Sequence, residues 1–136
     1  MDENISKFLD KIHILTLGVI SDGLPYLCSC FYAYDPDLNS FIVASKSSSK
    51  HIQSIKNQPN IAINIALDTK IVGKIEGVQA NGVMKLLDDE RLEKLYFKRF
   101  PYAKLLNPEL YVIRVDYIKY TNNRLGFGKK IVWQRD

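Results

Sequence analysis

At the start of the chain apolar residues recur at helical spacing. Ile5, Phe8, Leu9 and Ile12 fall at i, i+3, i+4 and i+7, which predicts one amphipathic helix with its apolar face on something larger. The period then shortens to that of strands. His13 to Ile20 reads as a strand, Ser21-Asp22-Gly23 carries hairpin-turn chemistry, and Leu24 to Tyr34 returns as a long strand rich in aromatics. Asp35-Pro36-Asp37-Leu38-Asn39 is a second turn, delivering the chain into the apolar, β-branched run Phe41-Ile42-Val43-Ala44. Three adjacent antiparallel strands are predicted up to this point.

The third strand stops at Ser45-Lys46-Ser47-Ser48-Ser49-Lys50-His51, a turn holding four hydroxyls and two ammonium groups. Ile52 and Ile55 follow at helical spacing, so Ser48 or Ser49 is the N-cap of a short helix that Pro59 closes before the strand Ile61 to Leu67. Backbone N–H groups, the positive helix end, hydroxyls and lysines converge here, which suits a phosphate. The same residues also read as a solvated, capped loop. Gly73 to Leu87 is a long strand whose interior Gly77 and Gly82 imply a bulge, a bend or a close approach. Asp88-Asp89-Glu90 opens a helix with the stripe Leu92, Leu95, Tyr96 and Phe100, ended by Pro101. Leu110 to Tyr120 alternates with Tyr111, Ile113, Val115 and Tyr117 on one face, and Lys129 to Arg135 makes a last short strand containing Trp133.

Six or seven mostly antiparallel strands, joined by hairpin turns and flanked by short helices, argue for a mainly β fold with α (α+β) and against a doubly wound sheet. The expected architecture is an antiparallel barrel, closed or partly closed, in a single domain spanning residues 1–136. At 46% hydrophobic and 25% charged, the chain is globular and long enough to bury a core without staples. The net charge of +4 favours anionic ligands, but the lysines are spread, so no nucleic-acid partner is expected. The acidic start, Met1-Asp2-Glu3-Asn4, is neither a signal nor a transit peptide, and no apolar run reaches membrane-spanning length; a cytoplasmic protein without a membrane partner is expected. Cys28 and Cys30 project to one face of a strand as reduced, core-filling thiols. With His13 and His51 at unrelated places, no metal site is assembled.

This order of elements resembles the pyridoxamine 5′-phosphate oxidase-like FMN-binding split barrels over nearly the whole chain. The runs Phe100-Pro101-x-Ala103-x-Leu105-Leu106 and Ile118-Lys119-Tyr120-Thr121-x-Asn123-x-Leu125-Gly126-Phe127-Gly128-Lys129-Lys130, with Trp133, Gly77-Val78-Gln79 and Phe31-Tyr32, are similar to its YhbP-type bacterial subfamily. The resemblance implies a six- to seven-stranded antiparallel split β-barrel, with FMN as cofactor at the interface of a homodimer. It implies that Ser45, Lys46, Ser49 and Lys50 hold the FMN phosphate. Asn64 and Gln79, like Asn81, face the isoalloxazine or else form a polar outer face of the barrel. Gly126, Phe127, Lys129 and Lys130 reach the flavin of the other subunit or else form a surface turn. The substrate-phosphate arginines and histidine of true pyridoxamine 5′-phosphate oxidases have no match here, so vitamin B6 oxidation is not implied.

No Ser/His/Asp, Cys/His or paired-carboxylate constellation can be read from the spacing, so any chemistry belongs to the cofactor. The function expected is a flavin-dependent oxidoreductase acting on a small, anionic substrate. The alternative is a non-catalytic flavin or haem carrier on the same barrel.

Overall fold

The computed structural model describes residues 2–136. Along them run α1 (Glu3–Lys11), β1 (Ile14–Ser21), β2 (Leu24–Asp35), β3 (Ser40–Ser45), α2 (Lys50–Asn57), β4 (Asn60–Ala66), β5 (Glu76–Leu86), α3 (Glu90–Arg99), β6 (Glu109–Asn122) and β7 (Lys130–Gln134). Local chemistry sets the connections. Asp22 and Gly23 both take positive φ, and Ser21 pairs with Leu24 across them, which is the twist a two-residue hairpin needs.

The strands pair antiparallel in the order β3-β2-β1-β4-β5-β6, and β3 pairs back onto β6, closing a six-stranded barrel. β7 extends it along β6. One edge of β6 serves two partners, with Glu109 to Arg114 against β3 and Tyr117 to Thr121 against β7. Only Tyr32 to Asp35 of β2 pairs with β3 among the described residues. The Leu24 to Phe31 part of β2 runs past this closure on β1 alone, which is the split in the barrel. The inward faces, with Ile5, Phe8 and Leu9 of α1, form the main core. A second cluster, including Ala33, Ile42, Leu92, Tyr96, Leu110 and Val112, seats α3 on the outside.

Two predicted features shift. Register between β5 and β6 changes at Asn81/Gly82, where Asn81 faces Tyr117 and Gly82 faces Val115, leaving Asp116 without a partner on β5. Such a bulge reverses the side chains that face inward. The expected face is right through Val115, but beyond it Ile118 and Tyr120 enter the core and Tyr117 does not. The long fifth strand also begins later than Gly73. Val72–Lys74 is a 3-10 turn, held by Asn123, whose side-chain amide donates to the Val72 carbonyl and whose backbone N–H donates to that of Ile75.

Where β5 begins, the buried Glu76 carboxylate accepts from the Tyr120 hydroxyl and lies 3.2 Å from the Lys11 ammonium. This group ties α1 to the barrel. No helix among the described residues is long and apolar enough to cross a membrane.

Candidate functional site

β3 ends at Ser45, and the chain crosses residues 46–49 to α2, whose N-cap is Ser49. The Ser49 N–H donates to the Lys46 carbonyl at 3.0 Å, and the Gln53 amide donates to the Ser47 carbonyl at 2.6 Å, so the turn is held from within. Its helix end is unlike the other two. Asp2 and Asp89 cap α1 and α3 through their carboxylates, and both helices carry acid in the first turn. Ser49 makes no side-chain cap bond, and the first turn of α2 has no acid and starts on Lys50. The positive end of α2 is thus uncompensated by its own side chains. Lys46 and Lys50 are exposed and make no ion pair among the described residues, while Lys50 Nζ rests 4.5 Å from the centre of the Tyr26 ring.

Behind this turn lies a cluster that sequence spacing did not reveal. Cys28 and Cys30 sit on the inward side of β2, and α2 swings His51 over them, so the two sulfurs and an imidazole nitrogen all lie within 4.8 Å of one another. The expectation that the thiols and both histidines are scattered is therefore corrected for His51. The missed signal is that a strand–turn–helix unit returns the second helical residue to the strand end. Ser45 Oγ stands 2.8 Å from His51 Nε2 and completes the group. The Cys30 hydrogen bond lowers the Cys28 thiol from its ordinary 9.0 to about 5, against the effect of burial, with His51 adding a hydrogen bond and electrostatic attraction. Cys30 is pushed up because it keeps its proton to donate to Cys28 and is itself buried.

A thiol lowered on folding contributes stability that is complete above 9.0 and is lost as pH falls through about 5, whereas the raised Cys30 acts oppositely above 9.0. In the folded, reduced protein the rate of Cys28 alkylation by iodoacetamide is expected to have its pH midpoint near 5, against about 9.0 in denaturant. A folded-state midpoint near 9.0 would contradict this environment.

The remaining predicted residues lie elsewhere. Asn64 and Gln79 are cross-strand partners on the exposed outer face of β4 and β5, so the polar-face reading fits them within one chain. Gly126, Phe127 and Lys129 are exposed in the loop after β6, with Phe127 83% accessible, and the exposed Lys130 is the first residue of β7, paired with Thr121. Ser45 pairs with Glu109, so this loop and the Ser/Lys turn stand at opposite ends of the 14-residue β6, on the order of 40 Å apart along the strand. One protomer does not bring them together.

The fold has close counterparts among solved structures. A protein related to general stress protein 26 of B. subtilis, of the pyridoxinephosphate oxidase family, from Clostridium acetobutylicum has a TM-score of 0.72 at 18% identity, over 98% of this chain and 96% of that one. An FAD-binding protein from Mesorhizobium loti gives 0.71 at 16%, over 85% and 87%. A haem-binding protein from Mycobacterium smegmatis gives 0.75 at 14%, over 90% of this chain but 52% of that longer one. At these identities the likeness establishes the split-barrel fold. No protein-family model matches the chain. In sequence, the UPF0306 protein of Klebsiella pneumoniae is 36% identical over 97% of this chain and 92% of its own. The UPF0306 protein YhbP of Escherichia coli O127:H6 is 37% identical over 96% of each. Identity at this level, sustained across nearly all of both chains, reflects common descent, and the chain belongs to the UPF0306 (YhbP) family.

Proposed function

We propose that this protein binds FMN as a cytoplasmic homodimer, with the flavin phosphate at the Ser/Lys turn, and works as an oxidoreductase on a small, anionic substrate. The observation that carries the reading is the basic N-terminus of α2, free of any side-chain cap or first-turn acid. A dianionic phosphate there meets unpaired N–H groups, the helix dipole and the ammoniums of Lys46 and Lys50. Ser49 is available to donate. Ser45 can also do so when His51 Nε2 carries the proton in their shared hydrogen bond, because its own O–H is then released. Same-fold proteins described as FAD-binding and as of the pyridoxinephosphate oxidase family support a flavin.

When bound, FMN supplies the hydride-accepting group, and the chain supplies position and charge. The segment with Gly126, Phe127, Lys129 and Lys130, the loop and the start of β7, is too far along β6 to serve its own turn, so in a two-fold dimer it serves the partner's flavin, beside outward Asn64 and Gln79. The dimer is supported by apolar surface at the split: Leu27 and Phe31 of β2 are 66% and 55% accessible, on the same outer face as the exposed Ile14 and Ile20 of β1. Apolar side chains grouped this way favour pairing. Leu27→Glu is expected to convert dimer to monomer at micromolar concentration in light scattering; a dimer unchanged by it would place the interface elsewhere.

The functional test is to load the protein with FMN and offer NADH or NADPH anaerobically. Bleaching of the flavin, followed by recovery with an acceptor, is the expected result. A flavin that stays oxidised with both donors, and that does not pass electrons on after chemical reduction, would make the protein a carrier. The haem-binding neighbour supports haem as the cargo in that second reading.

A further inference from the structure

The flavin reading leaves Cys28, Cys30 and His51 unused. The placement of these groups is set by backbone: alternate positions on β2 put both thiols on one face, and the turn from β3 into α2 fixes His51 opposite them. Tetrahedral zinc, with Zn–S near 2.3 Å and Zn–N near 2.0 Å, holds its ligand atoms under about 4 Å apart. Drawing the three atoms in from within 4.8 Å takes small side-chain rotations, with the strand and helix left in place.

The donor set is also selective. Two sulfurs and an imidazole, with no carboxylate among them, suit soft d10 ions and give calcium or magnesium little to bind. Two thiolates neutralise a divalent ion, so a charge enters this partly buried place without being left uncompensated. Cys30 is 7% accessible and Cys28 half-buried, so the cluster is partly open to solvent, and Ser45 borders it with its Oγ 2.8 Å from His51 Nε2. That leaves a fourth position next to the Ser/Lys turn.

We propose that Cys28, Cys30 and His51 form a three-ligand site for a thiophilic d10 ion, Zn2+ or Cu+, with a fourth position facing Ser45. The site does not depend on flavin, although an ion held there would add positive charge beside the α2 N-terminus. The test uses the full chain, reduced and stripped of metal. Zn2+ is titrated against a chromophoric chelator, Cu+ against a Cu+-specific one, and Co2+ is added as an optical reporter. Expected are one equivalent of Zn2+ or Cu+ per chain and a near-ultraviolet thiolate-to-cobalt band. Cys28→Ser and His51→Gln should each weaken binding at least about tenfold. His51 is only partly buried at a helix start, so its variant keeps the test valid if a cysteine variant misfolds by circular dichroism. Failure of the wild-type protein to hold either ion, or equal retention by His51→Gln and the folded cysteine variant, would overturn the proposal. FMN titration in excess chelator separates this outcome from failure of the flavin reading.

Discussion

Gly82→Ala is expected to destabilise the barrel by more than about 3 kcal/mol, a large part of the 5–15 kcal/mol that holds a typical domain. A Cβ at residue 82 would stand 2.1 Å from the Arg114 carbonyl oxygen, 3.0 Å from its carbon and 3.1 Å from Val115 Cα. All three are backbone atoms of β6, so no side chain can turn aside to make room. Relief requires β5 and β6 to part at the bulge beside Asp116, where the inward face changes phase and Val115 hands the core to Ile118. Ordinary overpacking costs about 1–3 kcal/mol because side chains and backbone share the adjustment; here the backbone must take it all. Gly73→Ala is the control, since nothing lies within 4 Å of a Cβ there. Urea unfolding should show a large fall in midpoint for Gly82→Ala and almost none for Gly73→Ala. Equal midpoints would mean that the strands do not approach so closely.

Replacing Lys46 and Lys50 together with alanine is expected to weaken FMN binding by at least one to two decades. Each charge-assisted contact to phosphate contributes about 1.5–3 kcal/mol, and about 1.4 kcal/mol is tenfold in affinity. Both lysines are exposed, so salt screens part of this and sets the lower end as the expectation. Lys50 should matter more, because its ammonium is already held over the Tyr26 ring, whereas Lys46 must be ordered on binding. Flavin fluorescence titration at two salt concentrations measures both effects. Affinity unchanged in the double variant would remove the phosphate from this turn.

Much of the barrel is legible in the sequence because its signals are local. The Asp22-Gly23 hairpin, the acid-capped α3 and the short helix behind the serines each follow from chemistry within a few residues. Gly82 announces a close approach, yet sequence alone cannot say that the extra residue is Asp116 on the opposite strand, so the inward phase of Tyr117 was lost. The closure of β3 on β6 joins residues far apart in the chain and leaves no local trace. The same holds for the site. The Ser/Lys turn is contiguous and readable, while the thiol–imidazole cluster exists only once β2 and α2 lie side by side. Asn64 and Gln79 alternate with core residues and so could be assigned to a face, but spacing does not show what covers that face.

The most direct measurement is a crystal structure of the protein reconstituted with FMN. The expected result is a flavin phosphate within hydrogen-bonding distance of the first N–H groups of α2 and of Ser49, with Lys46 and Lys50 beside it and a second chain closing over the ring. A flavin whose phosphate lies away from that helix end, or crystals that take up no FMN at saturating concentration, would contradict it.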